Sequence, residues 1–274
     1  MPWEPANEGH AIERVAASIL FAEPLPLKVL RNIQESIKTS VSPKGFDKVV
    51  LLPSPTQFQI AIHGGQPSLT NPATGQAFRK VSDDAVVEEV ISNESALTFA
   101  ATRYQSWEAF ISVAQECLAG AVASAASLVT FRDIRLEYWD RFDLKGRDGI
   151  STLINPRTTL LSEKFRSKEQ SWHNNIGYFY GVVPQTRNLI NANVGVVIHA
   201  ELPVNEISGQ ARIYTLAATQ SRIDEGAQPW QVDSWKAASG VLTDRHEDLK
   251  SVLVDIIHPV LSQKIKLTSN SAAP

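Results

Sequence analysis

The chain predicts an α+β fold: two largely antiparallel sheets or meanders, with amphipathic helices packed on one face. Three observations carry that expectation. Short apolar runs come in groups punctuated by Pro, Gly and Asn, as in meanders. Separate segments repeat apolar residues at spacings of three and four, the helical period. The runs between those segments show little helical periodicity.

The first half supplies a strand, a helix, a meander, a second helix and a long strand. Ala11 to Phe21 is rich in apolar and β-branched residues and reads as the first strand. Pro24 and Pro26 then open a helix in which Leu27, Leu30, Ile33, Ile37 and Val41 form one apolar stripe, ended by Pro43 and Gly45. Val49 to Leu52 and the alternating Phe58, Ile60 and Ile62 read as strands, the second closed by His63-Gly64-Gly65. Ala77–Val81, Val86–Ile91 and Ala96–Tyr104 follow as a meander. Ser106 suits an N-cap for a helix with Trp107, Phe110, Val113, Cys117 and Ala121 inward, and a strand runs from about Leu128 to Phe142.

The second half repeats part of that order without any fixed-period identity. A turn at Gly146-Arg147-Asp148-Gly149 suggests a division into residues 1–148 and 149–274, which can equally form one continuous unit. A short helix near Thr158–Phe165 precedes strands at Gly177–Val183, Ala192–Leu202 and Gln210–Arg222. Asp244 with Glu247 resembles a capping box, followed by an apolar stripe of Leu249, Val252, Leu253, Ile256 and Ile257 before Pro259.

Composition excludes several classes. With 274 residues, 43% hydrophobic and 20% charged, and a net charge of −3, the chain is neither disordered nor collagen-like. The mildly acidic balance lacks the clustered Lys and Arg of a phosphate grip, so nucleic acid is not an expected partner. Cys117 has no second cysteine to pair with and falls in an apolar helix, where a thiol acts as a small core hydrophobe. The N-terminus has no basic region leading into an apolar run, and no segment approaches the ~18 apolar residues of a membrane helix, so a cytoplasmic protein is expected.

Few catalytic patterns survive inspection. Neither a P-loop nor a dinucleotide fingerprint occurs. His246-Glu247 begins like a zinc-protease helix, but Lys250 stands where the second imidazole belongs, leaving a solvated first helical turn as the expectation. His199 with Glu201 offers only two ligands, so neither a metal nor another cofactor is expected. His63-Gly64-Gly65 resembles a hydrolase oxyanion loop, but without a nucleophile elbow it reads as a hairpin turn. Asp143-Leu144-Lys145, with Asp133 upstream, fits half of a metal-dependent nuclease site.

One strand stands out. Period-two alternation puts Arg135, Glu137, Trp139 and Arg141 on one face and Ile134, Leu136, Tyr138 and Phe142 on the other. With Arg212 and Tyr214 from the later meander, the charged face either grips an anionic, phosphate-bearing small molecule or forms a solvated surface of cross-strand ion pairs. Trp230 and Trp235, in a polar stretch, are candidate anchors for a protein partner, or pack that connection onto the sheet. Trp3 has the same two readings.

Several of these segments resemble a family of sporadically distributed bacterial proteins of about this length and of no established function. The resemblance rests on His10-Ala11-Ile12-Glu13-Arg14-Val15, Phe21 with Pro24, Tyr104-x-x-Trp107-x-x-Phe110, Glu137-Tyr138-x-Asp140-Arg141-Phe142, and the closing helix with His246 and Leu249-Lys250. It implies no catalytic residues. Sporadic distribution implies an accessory gene, of the kind found in antiphage and conflict systems, and hence a recognition or adaptor component. The resulting expectation is a cytoplasmic interaction or sensor module with a protein partner. A receptor or enzyme for an anionic ligand using Arg135, Glu137, Arg141, Arg212 and Tyr214 comes second, and a nuclease using Asp133, Asp143 and Lys145 third.

Overall fold

A computed structural model describes residues 2–7, 9–54, 59–63, 66–70, 73–145, 150–166, 171–201, 206–230 and 232–265. The turn expected at 146–149 and the pair Gly64-Gly65 lie outside them. The first half comprises β1 (Trp3–Pro5), β2 (Ile12–Phe21), α1 (Leu27–Val41), β3 (Lys48–Pro53), β4 (Gln59–His63), β5 (Gln66–Thr70), β6 (Ala73–Ser82), β7 (Ala85–Asn93), β8 (Ala96–Ala101) and α2 (Trp107–Ala126). The second comprises β9 (Phe131–Lys145), α3 (Glu163–Arg166), β10 (Trp172–Tyr180), β11 (Thr186–Glu201), β12 (Glu206–Ser221), α4 (Trp235–Ile256) and α5 (Pro259–Lys264).

The two expected sheets are one. Ten strands join in a single antiparallel sheet, ordered β10-β11-β12-β9-β2-β8-β7-β6-β3 with β1 also on β9, and β4–β5 form a separate pair. The reason is β2, which pairs with β8 on one side and with β9 on the other, so the two meanders share a central seam. The sheet is therefore continuous across the expected division at residue 148. On each side of the seam the chain leaves the central strand, reaches an outer strand, winds back and ends in a long helix.

Burial follows the alternation of β9: Ile134, Leu136, Tyr138, Asp140, Phe142 and Leu144 are buried, while Arg135, Glu137, Trp139, Arg141 and Asp143 are half-buried on the opposite face. The buried face meets the helices. α1 packs on α2 and α2 on α4, with α1 against β6, α2 against β8, and α4 against β9 and β12. Burying the stripe Leu30, Ile33, Ile37 and Val41 of α1 at ~1.5–3 kcal/mol per side chain makes this layer a major source of stability. α2 is long and apolar enough to cross a membrane by length and composition, contrary to the expectation that no segment is. Here it buries Trp107, Phe110, Ala114, Cys117, Leu118, Ala121, Val122 and Ala125 within the protein.

The last long helix begins earlier than Asp244. Ser234 is its N-cap, accepting from the Ala237 N–H at 3.4 Å, so Asp244 and Glu247 lie in mid-helix and form no capping box. Ala237, Ala238 and Gly240 offer no large apolar side chain, which hides the helical period until Leu242.

Candidate functional site

Four separate segments, joined by Thr215 of β12 and Ile265 after α5, converge on a cavity of about 280 Å³ between the central seam and the α2–α4 pair. The entry to β2 contributes Gly9, His10 and Ile12, the β8–α2 connection Tyr104 and Trp107, β9 Tyr138 and Asp140, and α4 His246, Leu249, Lys250 and Leu253. Each arrives for a local reason. Gly9 sits at φ +82°, a left-handed turn that reverses the chain before β2. Backbone bonds from Ala6 N–H to the Arg141 carbonyl at 3.0 Å and from Arg141 N–H to the Ala11 carbonyl at 2.8 Å then clamp that turn onto β9. The register of β2 on β9 slips between Ile12 and Arg14, a bulge beside Asp140. Ser106 caps α2 by accepting from Ala109 N–H at 3.2 Å, which fixes Trp107 at the first helical position. On α4, residues 246, 249, 250 and 253 follow the i, i+3, i+4, i+7 rule for one helical face.

The aromatic groups interlock. The His246 imidazole stacks on the Trp107 indole, with centroids 4.5 Å apart and planes 4° from parallel. Its Nδ1 lies 2.8 Å from the Tyr138 hydroxyl. Burial raises Tyr138 well above the ordinary tyrosine value, with Tyr104 and the nearby carboxylates adding to it, so the hydroxyl keeps its proton near neutrality. The other ring nitrogen of His246, Nε2, lies 3.9 Å from Glu247. Burial lowers His246, opposed by the charges of Glu247 and Glu108 and aided by Lys250. Tyr104 meets Tyr138 edge-on at 6.0 Å and, buried, is pushed up to about 12.

Two groups remain unsatisfied. Asp140 is 2% exposed, and its Oδ1 has no hydrogen-bond partner. Burial first, and then the Glu13 charge, push its carboxyl up to about 7. The buried Nδ1 of His10 likewise lacks a hydrogen bond. Burial lowers His10, although the Tyr104 and Ile12 backbones oppose this without closing a bond to Nδ1. Unpaired buried polar atoms cost ~1–3 kcal/mol each, which makes the cavity the reverse of an optimised core.

The residues expected to bind a ligand sit elsewhere. Arg135, Glu137 and Arg141 on β9 and Arg212 and Tyr214 on β12 share the opposite sheet face, and none lines the cavity. There Arg135 meets Asp133 at 3.1 Å, Arg141 is engaged by Glu13 and by Asp143 at 3.3 Å, and the Tyr214 hydroxyl donates to Glu137. Arg14 stands 5.1 Å over the Trp139 ring, which lies 5.1 Å from the Tyr214 ring. Arg212 is exposed, directly across from Arg141, with no ion pair among the described residues. The surface is mostly self-neutralised, with one uncommitted cation.

Other expectations change. His246 is not in a solvated first turn: it is a largely buried side chain in the middle of α4. Trp235 is buried in the core at the start of α4, and Trp230 packs partly buried against the same core, so neither is a free anchor. Trp3 is fully buried beside β9. Asp133 and Asp143 lie on one strand, roughly 33 Å apart at ~3.3 Å per residue, too far to share a metal. Asp133 is also buried against Arg132 and Arg135, and Lys145 is paired with Glu4. Among the described residues, no group of three His, Cys, Asp or Glu is arranged to hold a metal ion. Cys117 is buried and pushed up to about 12, an inert thiol.

Sequence reasoning placed Tyr138 on the apolar face but passed over Asp140 beside it. The signal was present: an even-numbered acid in the run Ile134, Leu136, Tyr138, Phe142 is a charge on the buried face. No protein-family profile matches the chain, and no curated protein matches it in sequence.

Proposed function

We propose that the chain is a small-molecule sensor, holding a compact ligand in the cavity between β2, β9, α2 and α4 and presenting its uncovered sheet face to a protein partner. The observation that supports this is the convergence of His10, Tyr104, Trp107, Tyr138, Asp140 and His246 from four distant segments on one cavity with two unsatisfied polar atoms. A protein selected for packing alone fills such a space with apolar side chains. The quoted segments of the family resemblance contribute those same six residues, and they also contribute Glu13, Arg14, Glu137 and Arg141 of the charged face.

Binding orders α2 against α4 through the Trp107–His246 stack, so occupancy reaches both long helices. Native mass spectrometry of the purified protein, with thermal shifts against panels of small amines, amides and acids, tests the reading. A retained small molecule or a shift that Trp107→Ala removes is expected; no retained mass and no shift in any panel overturns it.

The second reading, an adaptor whose partner docks on the uncovered face, draws on Arg212 and the Arg14, Trp139 and Tyr214 cluster beside it. Acidic partner segments suit the uncommitted guanidinium. Co-purification from the native host that Arg212→Glu abolishes supports it; an unchanged complex does not.

A further inference from the structure

Resting on the sensor reading, we infer that the cavity takes a compact planar cation bearing paired N–H donors, of amidinium or guanidinium type, gripped by the Asp140 carboxylate. Asp140 lines the cavity, its Oδ1 is buried without a hydrogen bond, and no cation pairs with it among the described residues. Lys250 also lines the cavity, but its ammonium is directed to Glu247 at 3.6 Å. A carboxylate accepts N–H bonds from such a fork, and Asp140 has no cation of the protein's own beside it among the described residues.

The walls fit the same chemistry. Tyr104, Trp107 and Tyr138 present aromatic rings, which attract a flat cation electrostatically, and Ile12, Leu249 and Leu253 exclude water from around it. Glu108, which lines the cavity at the start of α2, adds negative charge from a further element. An anion would instead meet Asp140 and Glu108 together, with only Lys250 in its favour.

The groups that share the site with Asp140 are His10 at the entry to β2, Tyr104 and Glu108 around the start of α2, Tyr138 on β9, and His246 and Lys250 on α4; Glu13, paired with Arg141 on the other sheet face, acts on Asp140 from behind. Both tyrosines stay protonated near neutrality, and burial keeps both imidazoles from gaining a proton. Asp140, held near 7 in the free protein, must ionise to grip a cation, so binding releases a proton below that pH. Protonation of His10 or His246 at lower pH opposes a cation in the same sense.

Three isosteric probes separate the outcomes: benzamidinium, benzamide and benzoate, each titrated calorimetrically and by tryptophan fluorescence at pH 6, 7 and 8. Benzamidinium is expected to bind at least ~10-fold more tightly than the other two, to tighten several-fold from pH 6 to pH 8, and to lose its advantage in Asp140→Asn. Benzoate or benzamide binding as well as benzamidinium overturns the cation inference and leaves the sensor reading standing. No binding by any of the three, with no fluorescence change, overturns the cation inference, whereas the sensor reading falls only if native mass spectrometry and the thermal-shift panels are blank as well. The pH series on the unmodified protein decides the matter even if Asp140→Asn fails to fold, because an affinity that is flat or falls with rising pH contradicts an ionising carboxylate.

Discussion

The His246 Nδ1 and the Tyr138 hydroxyl meet at 2.8 Å across 108 residues of chain, joining the middle of α4 to the centre of β9. The bond fixes the imidazole flat on Trp107 and so ties α2, α4 and the sheet at one point. It is the pivot about which the cavity is built.

Removing one partner strands the other. His246→Ala loses the stack, worth ~0.5–1.5 kcal/mol, and leaves the Tyr138 hydroxyl buried without its imidazole partner, at ~1–3 kcal/mol. We expect a destabilisation of about 2–4 kcal/mol by urea unfolding. In a double-mutant cycle with Tyr138→Phe, the two losses should be less than additive by about 1 kcal/mol.

The pH behaviour of His246 has a definite sign. Burial lowers its folded pKa below the ordinary histidine value of 6.5, so folding disfavours the protonated ring. Its contribution to stability is therefore complete above 6.5 and is lost as pH falls toward the lowered value. Proton NMR of the imidazole should show a titration midpoint below 6.5, and Trp107→Leu should change its ring-current shift.

Trp3 holds the N-terminal strand in place. It is fully buried opposite Leu144, and Trp3→Ala should cost about 3–5 kcal/mol and expose residues 2–7 to proteolysis. Limited digestion with a protease of broad specificity, proteinase K, followed by mass spectrometry reads the second effect directly.

The charged face should matter little for stability. Arg141 and its partners are half-exposed, and ion pairs of that kind contribute ~0–1 kcal/mol. Arg212→Glu replaces a like-charge neighbour of Arg141 with an opposite one, so its thermal midpoint should stay within a degree or two or rise. Ligand binding in the cavity, on the other side of the sheet, should be unchanged in that variant.

How much of this was legible in the sequence depends on the range of the interaction. α1 is visible because its stripe and its terminators are local, although Leu27, expected on the stripe, is 42% exposed. The alternation of β9 and the Ser106 cap are equally local, and the structure has both. Fusion of two meanders into one sheet was not visible, because pairing of β2 with β9 joins residues more than 100 apart, and nothing in either strand names its partner. The site escaped for the same reason. His10, Tyr104, Tyr138 and His246 each sit in a different segment, and His246 carried a misleading neighbour in Glu247. The charged residues Arg135, Glu137 and Arg141 drew notice because they share one strand, although their charges are largely spent on each other and on Asp133, Glu13 and Asp143.

The central claim is that Asp140 is kept in the cavity at a cost to the fold. Its carboxyl, raised from 3.8 to about 7, stays protonated in the folded protein over a range where the unfolded chain is ionised. Stability therefore falls as pH rises from about 4 through about 7, by up to about 4 kcal/mol at ~1.4 kcal/mol per unit. The most direct measurement is the unfolding free energy of the wild type and Asp140→Asn at pH 5 and pH 8. We predict a variant more stable by about 1–2 kcal/mol at pH 5 and by about 3–4 kcal/mol at pH 8. A variant less stable than the wild type at pH 8 would contradict the account, because it would mean that the ionised Asp140 is satisfied by the protein itself.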